Sequence, residues 1–500
     1  MDSLTIKTNK GLVRGIKEDG VNKFLGIPYA KKPVGDLRFS PPVECDSWQG
    51  ELEVIKWPAN PIQPINESNP FNLNSVSGYS EDCLYLNIFV PDKDIKDTPV
   101  MVWFYGGGYT TGGCSFDSYD GSNMAKNNEV IIVTANYRLG LFGFLYMEEI
   151  NGNNNTNPGL ADAIAILKWV KDNISSFGGD KNNVTVFGQS AGSSLINILM
   201  ISPKAKNLFH AAITQSGSPF NHDEWRLGKN KAQEKTWNYL KKIGINSVEE
   251  LKNATSERLL IDKDAYAMSE FCPYVDNYYI PDELEKTYLK GVIYPVPVMV
   301  GLTKDEATIL VSGGDSHGER GSATASRFER TIVRKYDFEE ARNFLYGKYG
   351  SYLKSDPAYA LARFRSDNSL ANQMYFAECL NERTKEDVYF YIFDRIPPSN
   401  NPAFLGAYHG CEIRYIFMNL SDDYSEFDKK VSQDISKYWT NFAKHHNPNS
   451  SDLPNWTKFT KNSKDIMHID YPCHLEKSYK NYTTDIFMEF LKKKIEINNK

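Results

Sequence analysis

The chain has 500 residues, 41% hydrophobic and 24% charged, which is ample material for a large globular core. A formal net charge of −6 argues against nucleic acid or an anionic membrane surface as the main partner. No run approaches the roughly 18 apolar residues of a membrane span. Met1-Asp2-Ser3-Leu4-Thr5-Ile6 carries neither a basic nor an apolar leader region, so the expectation is a cytoplasmic protein.

The predicted elements alternate strand and helix. Residues 99–105 (PVMVWFY) and 130–135 (VIIVTA) read as buried strands, continuous rather than alternating, as in a parallel sheet covered on both faces. Residues 158–176 read as a helix. Asn157 is placed to cap it, Pro158 suits its first position, and Gly178-Gly179 ends it. Strand 184–187 (VTVF) then leads into a helix at 193–200. Residues 296–300 and 388–393 (VYFYIF) are further strands. The pattern predicts a doubly wound α/β sheet, large and mostly parallel. Residues 221–290 and 312–385 are charged, helical-looking insertions, and 312–325 (SGGDSHGERGSATA) reads as a mobile loop. No repeat or interdomain linker appears, so 1–500 is expected to form one domain with the insertions as a cap.

The chemistry centres on Gly188-Gln189-Ser190-Ala191-Gly192, a G-x-S-x-G set between a strand and a helix. A serine on so tight a turn presents its hydroxyl at the carboxyl edge of a sheet. Ser190 is the candidate nucleophile, and it needs a base, an orienting acid and an oxyanion site. Tyr105-Gly106-Gly107-Gly108 follows an earlier strand. The N–H groups of Gly107, Gly108 and Ala191 are the expected oxyanion donors. The cysteines form no C-x-x-C pair, the histidines form no H-E-x-x-H, and there is no glycine-rich phosphate loop, so neither a metal nor a cofactor is expected.

At these motifs the chain resembles the type-B carboxylesterases, α/β-hydrolases that include bacterial esterases and the cholinesterases, and in character it is closest to the bacterial members. Phe24-Leu25-Gly26-Ile27-Pro28-Tyr29-Ala30, Glu81-Asp82-Cys83-Leu84-Tyr85-Leu86-Asn87, Phe177-Gly178-Gly179-Asp180, Gln215-Ser216-Gly217 and Asn441-Phe442-Ala443 follow the family's order. The resemblance implies an α/β-hydrolase fold and a serine esterase acting on a small-molecule ester. Gly301-Leu302-Thr303-Lys304-Asp305-Glu306 is similar to the segment of the catalytic acid. The match lands on Glu306, with Asp305 as competitor and Ala307 where a glycine is usual. Ala407-Tyr408-His409-Gly410-Cys411-Glu412-Ile413 is similar to the histidine loop, which makes His409 the base. Ser216 matches a serine that hydrogen-bonds near the acid. Arg38 with Glu81, and Arg138 with Asp162, are implied charge pairs.

The chain also departs from the family pattern. Pro61 stands where secreted members place the disulfide partner of Cys83, and Cys45 lies in different local sequence, so no cross-link is expected there. Leu73 stands where the cholinesterases carry a tryptophan for a quaternary ammonium. Gln189 replaces a common glutamate beside the nucleophile. Both changes point to neutral esters, since cation–π binding needs an aromatic face. Amide hydrolysis or acyl transfer with the same triad, and a non-catalytic binding protein, are the alternatives. Oligomeric state is not encoded in any motif.

Overall fold

The computed structural model describes residues 4–64, 74–152, 156–220, 228–262, 271–311 and 324–498. Its strands in chain order are β1 (Leu4–Lys7), β2 (Leu12–Glu18), β3 (Val21–Pro28), β4 (Glu51–Glu53), β5 (Asn60–Pro61), β6 (Tyr79–Ser80), β7 (Tyr85–Pro91), β8 (Thr98–Phe104), β9 (Ile131–Ala135), β10 (Gly179–Gln189), β11 (Ala211–Gln215), β12 (Val298–Thr303), β13 (Val388–Phe393), β14 (Ile466–Ile469) and β15 (His474–Glu476). β5 and β6 pair only with each other, and the rest join one 13-stranded sheet. Its order is β1-β2-β3-β7-β9-β8-β10-β11-β12-β13-β14-β15, with β4 beside β2.

From β9 through β8, β10, β11, β12 and β13 to β14 the pairing is parallel. Every residue of β9, β11, β12 and β13 is buried, which is why these segments read as unbroken apolar runs. The flank β1-β2-β3-β7 is antiparallel, and β15 closes the far edge antiparallel to β14. β10 is longer than the predicted 184–187, because Gly179 pairs back to Thr98 across a register shift. β12 begins two residues later than predicted and runs on to Thr303, which brings the next loop to the carboxyl edge of the sheet.

The predicted helix at 158–176 is an α-helix at Pro158–Asn173 followed by a 3-10 turn at Ile174–Phe177, and Gly178 closes it at φ 83°. Asn157 does not cap it as expected. It sits in the left-handed region at φ 45° with no side-chain cap bond. Its amide is bound instead to the backbone of Tyr274 and to Asp276, at 3.0 and 2.8 Å. Long-range partners outcompete the local cap, and the residue ties the first insertion to the sheet's helical cover.

That insertion is helical at Lys229–Lys242, Val248–Asn253, Ser256–Leu259 and Leu284–Leu289. The second is helical at Ala325–Lys335, Glu339–Ser355 and Pro357–Thr384, while residues 312–323 of the predicted loop lie outside the described residues. Arg38 forks onto Glu81 with both bonds at 2.7 Å, and a third guanidinium donor reaches the carbonyl of Ala254 at 2.7 Å. Ser256 Oγ also donates to Glu81, at 2.6 Å, so this pair fastens the first insertion. Arg138 forks onto Asp162 at 2.8 and 2.7 Å, with both side chains buried. A planar guanidinium suits such a bidentate, desolvated site. Among the described residues no helix is long and apolar enough to cross a membrane.

Candidate active site

β10 ends at Gln189 and the helix Ala191–Leu199 begins two residues later. Ser190 makes the whole turn alone, at φ 56° and ψ −120°. Such a backbone costs a non-glycine residue on the order of 1–3 kcal/mol and persists only where its surroundings hold it. The Ser190 N–H donates to the carbonyl of Gln215 on β11 at 2.8 Å, and the Ser190 carbonyl accepts from Ser194 N at 2.9 Å. The turn is tight because the Phe104 carbonyl of β8 passes beside it. A Cβ on Gly192 would lie 1.9 Å from that oxygen. Glycine there is a steric requirement, which accounts for that letter of the motif.

β8 leads into the glycine loop. Gly107 and Gly108 have φ of 105° and 63°, in the region that favours glycine. Among the described residues, no backbone hydrogen bond draws on the N–H groups of Gly107, Gly108 or Ala191. The loop is pinned on both sides. Tyr105 and Tyr137 stack at 4.4 Å, and each hydroxyl donates to the other's carbonyl at 2.7 Å. Gln63 clips the backbone of Gly112 through both ends of its amide, at 2.8 and 2.6 Å.

Glu306 and His409 arrive on the loops after β12 and β13 and are both buried. His409 Nδ1 donates to Glu306 Oε1. A ring nitrogen facing a carboxylate carries the proton, which leaves Nε2 as the acceptor. The other carboxylate oxygen accepts from Thr303 N at 3.1 Å, Thr303 Oγ1 at 2.7 Å and Ser216 Oγ at 3.0 Å. Burial alone pushes the Glu306 carboxyl up; the imidazole and these donors overcome it and hold it below the usual range. Burial likewise pushes His409 down, and the Glu306 charge reverses this, so the ring stays above ordinary imidazole. Asp305 is engaged elsewhere: it pairs with Arg363 at 2.8 Å and accepts from Ala407 N at 3.0 Å.

Gln189, directly before Ser190, is 3.0 Å from His409 Nε2 through its amide nitrogen. That contact brings the histidine loop to the elbow. Three neighbours were not singled out from sequence. Thr303 holds Glu306 twice, yet a threonine ending a strand carries no signal of that. Gln215 bridges Trp439 Nε1 and Glu412 Oε1, both at 3.1 Å. Glu412 is buried, and among the described residues its Oε2 has no hydrogen-bond partner. Burial and the Glu306 charge push its carboxyl up to about 7. Its place three residues after His409 in the same loop was the available clue.

Leu73 lies outside the described residues. Tyr79, in β6, is half-buried. Among the described residues no group of three or more His, Cys, Asp or Glu side chains could hold a metal ion.

The Carboxylesterase family model matches residues 2–487. A para-nitrobenzyl esterase of Bacillus subtilis is 32% identical over 493 residues, covering 94% of this chain and 96% of the relative. The pyrethroid hydrolase Ces2a of Mus musculus is 32% identical over 484 residues, covering 90% of this chain and 85% of the relative. The solved structure of a PNB esterase superposes with a TM-score of 0.81 at 32% identity, covering 97% of this chain and 99% of the other. With its parallel sheet, its strand–Ser190–helix elbow and these matches along nearly the whole length, the chain belongs to the carboxylesterase family and has the α/β-hydrolase fold.

Proposed function

We propose that the chain hydrolyses neutral carboxylic esters through an acyl-enzyme on Ser190. The observation that carries this reading is the buried Glu306–His409 contact, with His409 Nε2 turned toward the elbow at Gln189. Ser190 Oγ attacks the acyl carbon and passes its proton to His409 Nε2. The tetrahedral oxyanion is held by the N–H groups of Gly107, Gly108 and Ala191. As the intermediate collapses, the C–O bond to the alcohol breaks and His409 returns the proton to the leaving oxygen. Water then attacks the acyl-enzyme with His409 again as base; the carboxylic acid leaves and Ser190 recovers its proton. Glu306 fixes the tautomer and stabilises the imidazolium, and Ser216 and Thr303 hold Glu306 in place.

The preference for neutral esters rests on Gln189, an uncharged residue beside the nucleophile, and on Leu73 in place of a tryptophan. The whole of 1–500 acts as one domain: the sheet draws strands from Leu4 to Glu476, and no cut leaves either part with a complete sheet. The described parts of the insertions at about 221–290 and 312–385 act as a cap at the carboxyl edge and shape access to the serine. The test is hydrolysis of p-nitrophenyl butyrate by the purified chain and by Ser190→Ala. Turnover by the wild type and loss of at least about 10³-fold in the variant is expected; equal rates would overturn the reading.

A further inference from the structure

Gln189 spans the two loops that carry the chemistry. The residue is 4% exposed. On one side, a Cβ at Gly106 would lie 2.7 Å from Gln189 Oε1, so the glycine loop leaves room for this amide. On the other, Gly410, next to His409, sits 3.4 Å from Gln189 Nε2 by the same measure, in ordinary contact. The amide nitrogen is then 3.0 Å from His409 Nε2. Because Nδ1 faces Glu306 and carries the ring proton, Nε2 offers a lone pair. Only a donor suits it, and an amide N–H is one.

We propose that Gln189 is a positioning residue for the base: its amide docks on Nε2 of His409 and favours the neutral, proton-accepting imidazole. This rests on the reading of His409 as base. A carboxylate in the same place could only accept. It would bind the protonated ring through Nε2–H and favour the imidazolium, the form that cannot take the Ser190 proton. The surroundings make this choice matter. The ring already answers to Glu306 across Nδ1 and, when its carboxyl is ionised, to Glu412 on its own loop, and both favour the charged form. Asp305 is engaged with Arg363, and the buried Cys411 thiol and Tyr391 hydroxyl are held neutral by the same environment. A third carboxylate at position 189 would act in the same direction as the first two. The contact is also between neutral groups, weaker than a charge-assisted bond, so the serine can displace it when an ester is bound.

The experiment is the pH dependence of kcat/KM for p-nitrophenyl butyrate in the wild type, Gln189→Glu, Gln189→Met and Ser190→Ala. The acid limb of Gln189→Glu should move upward by about 1 pH unit or more, as for an opposite charge placed within hydrogen-bond reach. Gln189→Met keeps the bulk and loses the donor, and its limb should move upward by a smaller amount, about 0.5 pH unit. A packing role would lower the plateau and leave both limbs where they were, and that result overturns the proposal. If Gln189→Glu does not fold, the limb of Gln189→Met decides. An active Ser190→Ala, or a wild type with no acid limb, would instead refute the reading of the triad itself.

Discussion

Ser216 and Glu306 meet at 3.0 Å, hydroxyl to carboxylate, although 90 residues separate them. Ser216 follows the last residue of β11, has φ of 56°, and donates its N–H to the Gly301 carbonyl of β12 at 2.8 Å. A strained turn on one strand thus supplies a donor to the acid carried by the next. The elbow strand β10 lies on the other side of β11, so Ser190, Ser216 and Glu306 stand on three successive strands.

Removing that donor leaves Thr303 as the remaining anchor. Ser216→Ala should lower kcat/KM by about 10-fold, the size expected for a hydrogen bond to a charged group. Steady-state kinetics with a p-nitrophenyl ester measures it. An unchanged rate would mean that Thr303 and His409 hold Glu306 without help from Ser216.

As the proposed base, His409 must be neutral to accept a proton. Its affinity for protons is raised by Glu306, so activity should be full at alkaline pH and fall as pH drops through a value above the ordinary 6.5 or so. Glu306→Gln removes the charge and the correct tautomer together. Its limb should shift downward while kcat falls by up to about 10⁴-fold. A pH-independent rate down to about pH 4 in the wild type would contradict a histidine base.

Glu412 has a carboxyl raised to about 7, against roughly 4.3 when unfolded. The sign follows: the folded state binds the proton more tightly, so the relative stability from this group is present below the unfolded value and lost as pH rises toward 7. Glu412→Gln keeps an acceptor for Gln215 and cannot ionise. Its stability should gain on the wild type by roughly 3 kcal/mol between pH 4 and pH 8. Urea denaturation at the two pH values tests this; a constant difference would show that Glu412 is not buried as a neutral acid.

The two arginine pairs should behave differently. The Arg138 and Asp162 side chains are 3% and 0% exposed, so Arg138→Ala strands a buried carboxylate and should destabilise by about 3–5 kcal/mol. Arg38→Ala, at the rim with Glu81, should cost less and should loosen the segment at Ser256 first. Hydrogen exchange over 247–260 reports that loosening.

The parallel half of the sheet was legible because strands buried on both faces write continuous apolar runs, as at Val388–Phe393. Its outer antiparallel strands β1 and β2 were not, since they are half-exposed and their alternation is short. The elbow at Ser190 and the glycine loop at Gly107 could be read locally as structures, because each is one continuous stretch. Glu306 and His409 could not be chosen from local chemistry, as Asp305 stands beside the one and the other is an ordinary loop histidine until the chain folds. The roles of Thr303, Gln215 and Glu412 are set by partners far away in the sequence. Asn157 misled for the same reason: a good capping residue was taken up by Tyr274 and Asp276.

The most direct test is covalent. The chain is incubated with an organophosphate such as paraoxon, digested, and the modified peptide is sequenced by mass spectrometry. If Ser190 is the nucleophile, activity is lost in proportion to the phosphoryl groups incorporated, and a single adduct lies on Ser190. A main adduct on any other residue, or full inactivation with Ser190 unmodified, would contradict it.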